Sequence, residues 1–127
     1  MPDKHLYEYA TLRVVPRVER EEFLNVGVVV FCKNQKYLQV RYKLDSTKLL
    51  CLCPDLDLEQ LEKNLQSFEL ICEGSKNGGP IAVMDIPSRF RWLTAVRSSV
   101  IQTSRPHPGL STDLDQTLQR LFAELVL

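Results

Sequence analysis

The chain has 127 residues, 44% hydrophobic and 25% charged, with 16 acids against 16 lysines and arginines. These values describe a single globular domain over residues 1–127, long enough to bury roughly two thirds of its unfolded surface. They exclude a membrane span, because no stretch reaches the ~18 apolar residues one requires. The start, MPDKHLYEY, lacks the apolar core of a secretory signal, so a cytoplasmic location is expected.

In chain order, Tyr7–Val15 alternates, with Ala10, Leu12 and Val14 on one side of a predicted strand and Tyr7, Tyr9, Thr11 and Arg13 on the other. A charged turn follows, Arg17-Val18-Glu19-Arg20-Glu21-Glu22, then an Asn25-Val26-Gly27 step. Val26–Cys32 is apolar almost throughout and reads as a central strand covered on both faces. Lys33–Lys36 is a turn of hairpin length, and Tyr37–Leu44 alternates again. These three strands predict an antiparallel meander with the middle segment between the other two.

Asp45–Cys53 is open between a short helix capped at Asp45-Ser46-Thr47 and a strand over Leu49–Cys53. Asp57, with Gln60 three residues on, has the pattern of a capping box. The stripe Leu58, Leu61, Leu65, Phe68, Cys72 makes an amphipathic helix stopped by Gly74. GSKNGGP has the composition of a mobile loop. Pro87-Ser88 opens a short helix carrying Phe90, Trp92 and Leu93, and Ser98–Ser104 reads as a strand. The two prolines of Arg105-Pro106-His107-Pro108-Gly109 argue against regular structure there. Ser111 or Thr112 then caps a last helix with Leu114, Leu118, Leu121, Phe122 and Leu125 on one face. The expected class is α+β: a meander sheet of three to four strands with two main amphipathic helices packed on one face.

The charges are segregated. Between Asp45 and Glu73 acids dominate, whereas Ile86–Thr112 contains no acid and its cations, Arg89, Arg91, Arg97 and Arg105, are all arginine, the side chain suited to bidentate binding of oxyanions. A solvated face answered by the acidic helix explains this equally well. One constellation is Arg13, Arg17, Arg20, Glu21, Glu22 and Asn25, which could hold an anion with a carboxylate as base or could simply pair internally; exposed pairs contribute only about 0–1 kcal/mol. A second is Arg97, Ser98, Ser99, Gln102, Ser104, Arg105 and His107, in which His107 is the best general acid–base candidate and Glu22 the best carboxylate. The ligand-binding candidates are therefore Arg13, Arg20, Asn25, Arg97, Gln102 and His107. Cys32, Cys51, Cys53 and Cys72 sit at apolar positions without a common zinc spacing, so neither metal nor cofactor is expected. No phosphate loop, dinucleotide fingerprint, nucleophile elbow or nucleic-acid signature occurs.

Two long motifs, YEYATLRVVPRVEREEFLNVGVVVF (Tyr7–Phe31) and RFRWLTAVRSSVIQTSRPHPG (Arg89–Gly109), resemble the bacterial family of domain of unknown function 3037 over roughly residues 6–125. The resemblance implies an α+β fold and no established activity. It also implies a partner, because such proteins are often encoded beside HipA-like serine/threonine kinases. Val26-Gly27-Val28 followed by Tyr37–Tyr42 is similar to the small N-terminal β-subdomain of those kinases. The leading expectation is an accessory module without catalysis that docks on a protein, with a HipA-like kinase as the implied partner. The alternative is a phosphate-ligand-binding protein or phosphoester-processing enzyme built on the Arg/His/Glu cluster. Convergence of those side chains in one concave site would favour the second; scatter with an exposed apolar patch would favour the first.

Overall fold

The computed structural model describes residues 4–95 and 100–127. The order of elements is β1 (His5–Val14), β2 (Leu24–Cys32), β3 (Tyr37–Tyr42), α1 (Ser46–Leu52), α2 (Leu58–Glu73), α3 (Ile86–Leu93), β4 (Ile101–Thr103), β5 (His107–Ser111) and α4 (Leu114–Leu125). The fold is α+β. Its five-stranded antiparallel sheet runs β3-β2-β1, and β4 and β5 follow one another along the free edge of β1. The predicted meander is present with β2 in the middle; Val28, Val29 and Val30 are wholly buried.

Strand alternation decides what each face buries. Ala10, Leu12 and Val14 join Val29 and Phe31, and against them pack Leu61, Leu65 and Phe68 of α2 and Phe90 and Leu93 of α3. The Phe31 and Phe90 rings stack with centroids 4.7 Å apart. Tyr7, Val28, Val30 and Cys32 face the other way, onto Leu114, Leu118 and Leu121 of α4. The two main helices thus lie on opposite faces of the sheet, not on one as expected. The reason is that β2 is apolar on both sides, and one helix layer can cover only one of them.

The Asn25-Val26-Gly27 step is a β-bulge. Leu12 pairs with Gly27 but Arg13 with Asn25, so Val26 is the extra residue. Gly27 is required there by close approach: a Cβ would stand 2.8 Å from the Arg41 carbonyl oxygen and 2.9 Å from Tyr42 Cβ.

Side-chain caps set the helix starts. Asp45 accepts from the Lys48 N–H, Asp57 from Gln60, Asp85 from Ser88 and Asp113 from Gln116. Asp45–Cys53 is therefore helix rather than strand, and its carboxylate cap is what selects it. At α2 only half the capping box forms, since the Gln60 amide turns to Asn64 at 2.9 Å. The last helix is capped by Asp113 rather than Ser111 or Thr112; Ser111 Oγ instead accepts from the Asp113 N–H. Gly74 ends α2 in the left-handed conformation at φ 72°. The GSKNGGP stretch is built from two short 3-10 turns, Lys76–Gly78 and Pro80–Val83.

His107–Ser111 overturns the expectation of irregular structure. It pairs with β1, His107 opposite Tyr9 and Ser111 opposite His5. Pro108 is tolerated because β5 is an edge strand, where a missing N–H leaves no ladder partner stranded. At the break between β4 and β5, Ser104 keeps the ladder intact: its N–H donates to the Thr11 carbonyl and its Oγ accepts from the Thr11 N–H, both at 2.9 Å.

Candidate functional site

The sequence-derived candidates divide between two places, with a third outside the described residues. Arg13, Asn25, Gln102 and His107 fall at register positions on one face of the sheet, the face of α4. Arg13 opposes Asn25 across β2 and Gln102 across β4, and His107 opposes Tyr9 four residues before Arg13, ~13 Å along the strand. Arg20 and Glu22 belong instead to the β1–β2 connection. Arg97, Ser98 and Ser99 lie outside the described residues.

On the sheet face, the Arg13 guanidinium lies over the Phe23 ring, 4.1 Å from its centroid, and its Nη2 donates to Thr11 Oγ1 at 3.3 Å. Arg13 Nε and Asn25 Oδ1 are buried without a hydrogen-bond partner among the described residues. Asn25 Nδ2 donates to the Leu125 carbonyl at 3.2 Å, tying the bulge to the end of α4. The His107 ring sits 5.3 Å from that of Tyr9. His107 makes no hydrogen bond with Ser104 among the described residues, and the Ser104 hydroxyl is occupied by the ladder and the Arg105 carbonyl. Among the described residues this strip has donors, a cation and the rings of Phe23, Tyr9 and His107, but no paired nucleophile and base.

The charged turn has its own geometry. Val18–Arg20 is a 3-10 turn, closed by Glu21 at φ 56°, a left-handed conformation uncommon for a side-chain-bearing residue. Arg20 Nε and Glu22 Oε1 pair at 2.5 Å, both well exposed. The arginine-rich window is dispersed. Arg89 is buried, and its Nη1 donates to the carbonyls of Ile71 and Cys72 at 2.8 and 3.0 Å, satisfying the end of α2 and placing a cation on its negative pole. Arg91 stands 3.7 Å from Glu8, and Arg105 is exposed. Of the four cysteines Cys32 and Cys72 are buried, as apolar placement predicts, but Cys51 is exposed and Cys53 half-buried, since α1 presents little more than Leu49 to the core.

A feature that strand alternation hides is an apolar patch at the outer end of the sheet. Leu6 and Leu110 oppose each other across β1 and β5 and are 60% and 63% exposed. Leu6 has the parity of Ala10 and Leu12, which reads as core, yet it is left largely uncovered. Leu6 also lines a hollow of about 260 Å³, together with Tyr7, Phe31 and Pro87 and the charged Glu8, Lys33 and Arg91. Leu110, just after the Arg105–Gly109 segment read as irregular, carried no signal of its own.

No curated protein and no solved structure matches the chain. A family model does, and it covers residues 9–126. The chain therefore belongs to the family described as protein of unknown function (DUF3037), over nearly its whole length.

Proposed function

We propose that the chain is a non-enzymatic accessory module that docks on a protein partner through the outer end of the β1–β5 edge. The observation that carries this reading is the Leu6–Leu110 pair, two adjacent exposed leucines beside an apolar hollow with a charged rim. Single exposed leucines are ordinary, but a contiguous pair next to a hollow has the anatomy of an interface centre and rim. Glu8 and Arg91 pair with each other at the rim, which leaves Lys33 to meet an acidic group on the partner. Pro108 withdraws a backbone donor from the edge, so the contact is made by side chains rather than by an added strand. The enzyme or phosphate-ligand alternative is less favoured, because Arg20 and Glu22 line a hollow to which Arg13, Asn25, Gln102 and His107 contribute nothing.

A HipA-like kinase remains the partner class to test. Co-expression of that kinase with the tagged chain, followed by size-exclusion chromatography and calorimetry, gives the decisive comparison. The wild-type chain is expected to co-elute with it, and the Leu6→Asp/Leu110→Asp double variant to elute alone while keeping its circular dichroism and melting temperature. Undiminished binding by the folded double variant overturns the proposed surface. A wild-type chain that elutes alone removes this kinase as the partner.

A further inference from the structure

The charged turn and the end of α1 flank a half-open cavity of about 180 Å³. Arg17, Arg20 and Glu22 form one side, and Leu52, Cys53 and Pro54 the other. The charges on the first side do not cancel. Glu22 holds Arg20 at 2.5 Å, whereas the Arg17 guanidinium makes neither a hydrogen bond nor an ion pair among the described residues. Among the side chains that line the cavity the balance is thus two cations against one carboxylate, with Glu19 and Glu21 of the same turn outside the lining. The turn is set for this: the Arg20 N–H donates to the Arg17 carbonyl and the Glu21 N–H to the Val18 carbonyl, both at 3.1 Å, and the left-handed Glu21 brings Glu22 back onto Arg20. The opposite wall and Pro16 offer hydrocarbon.

We infer that this cavity binds a short-chain organic carboxylate, its oxyanion on the Arg17 guanidinium and its alkyl body against Leu52 and Pro54. A single excess charge matches a monoanion better than a phosphate dianion, and an arginine fork accepts a carboxylate in two parallel hydrogen bonds. Size sets the body: the cavity holds roughly six water-sized groups at ~30 Å³ each, which is a carboxylate with about three further carbons.

Cys53 lines the cavity and reports its occupancy. In a Cys51→Ser chain the remaining cysteines, Cys32 and Cys72, are buried, so thiol modification of the folded protein reads Cys53. Butyrate at ~10 times its Kd is expected to slow that modification about tenfold, because protection follows 1 + [L]/Kd. Butyramide, which has the same shape without the charge, and inorganic phosphate at equal ionic strength should leave the rate unchanged. Arg17→Ala should abolish the protection, and Glu22→Gln, which releases Arg20, should reach it at lower butyrate. Equal protection by butyramide, stronger protection by phosphate, protection that survives Arg17→Ala, or no protection by butyrate at any concentration the fold tolerates would each overturn the assignment.

Discussion

On one side of the sheet, Ala10, Leu12 and Val14 of β1 are sealed under the leucines and phenylalanines of α2 and α3. On the other side, Tyr9 of the same strand meets the His107 ring, Arg13 lies over the Phe23 ring and donates to the Thr11 hydroxyl, and α4 packs chiefly on β2 and β3. The first face is a core in which every atom removed from water contributes; the second is half core and half polar strip. A period of two lets one strand serve both, because each residue's neighbours in sequence face the opposite layer. Stability should therefore be concentrated on the α2–α3 face, and tolerance on the α4 face.

The largest test of that contrast is Leu65→Ala, at a position with no exposed surface, which should lower stability by about 2–5 kcal/mol in chemical denaturation. Leu118→Ala on the α4 side, already 8% exposed, should fall near the low end of the same range. Equal losses at the two sites would break the comparison. Next is Arg89→Met, which removes the charged donor from the Ile71 and Cys72 carbonyls, leaving Ile71 only the Gly74 N–H, and should cost about 1.5–3 kcal/mol, as charged hydrogen bonds do. If that variant melts like the wild type, the end of α2 does not depend on Arg89.

Gly109→Ala probes the other face. Its Cβ would stand 2.5 Å from Cζ and Oη of Tyr7, and the ring must shift, at about 1–3 kcal/mol. Tyr37→Phe is smaller. It removes the hydroxyl that donates to Asp115 at 2.7 Å, a loss of about 0.5–1.5 kcal/mol near neutral pH. It also changes the alkaline limb. Burial, then the hydrogen bond and charge of Asp115, raise the Tyr37 pKa above its ordinary value. The unfolded chain thus loses this proton at ~10 while the folded state keeps it. The contribution of Tyr37 is complete below that pH and disappears as pH rises toward the folded value. Cys72, raised mainly by burial on the opposite face, begins the same decline from ~8.5. The melting temperature of Tyr37→Phe should accordingly fall less steeply than that of the wild type above pH ~10; parallel declines would show that Tyr37 titrates alike in both states. Smallest of all, Glu62→Gln on the exposed face of α2 should stay within ~0.5 kcal/mol and serves as the control.

Of the candidate site, the residue types were legible but their grouping was not. Arg13 and Asn25 were singled out together, and the bulge at Val26 does pair them and set both on one face. Arg20 and Glu22 pair with each other, one of the two outcomes their proximity in sequence allowed. Arg89, by contrast, belonged in sequence to an arginine-rich window and in space to the end of α2. Its role depends on carbonyls 17 and 18 residues away, which no local pattern contains.

By itself the sequence determined the elements whose causes are local. Alternation over Tyr7–Val15, the apolar run of Val26–Cys32, the aspartate at Asp57 and the left-handed glycine at Gly74 each act through a residue's immediate neighbours, so strand, central strand, helix start and helix stop can be read in order. The tertiary structure alone decided that α4 crosses to the far face, that a proline-bearing segment becomes β5, and that Leu6 and Leu110 meet uncovered at the sheet's end. These outcomes depend on which apolar surface remains to be buried after the nearer elements have packed, a sum over contacts distant in the chain.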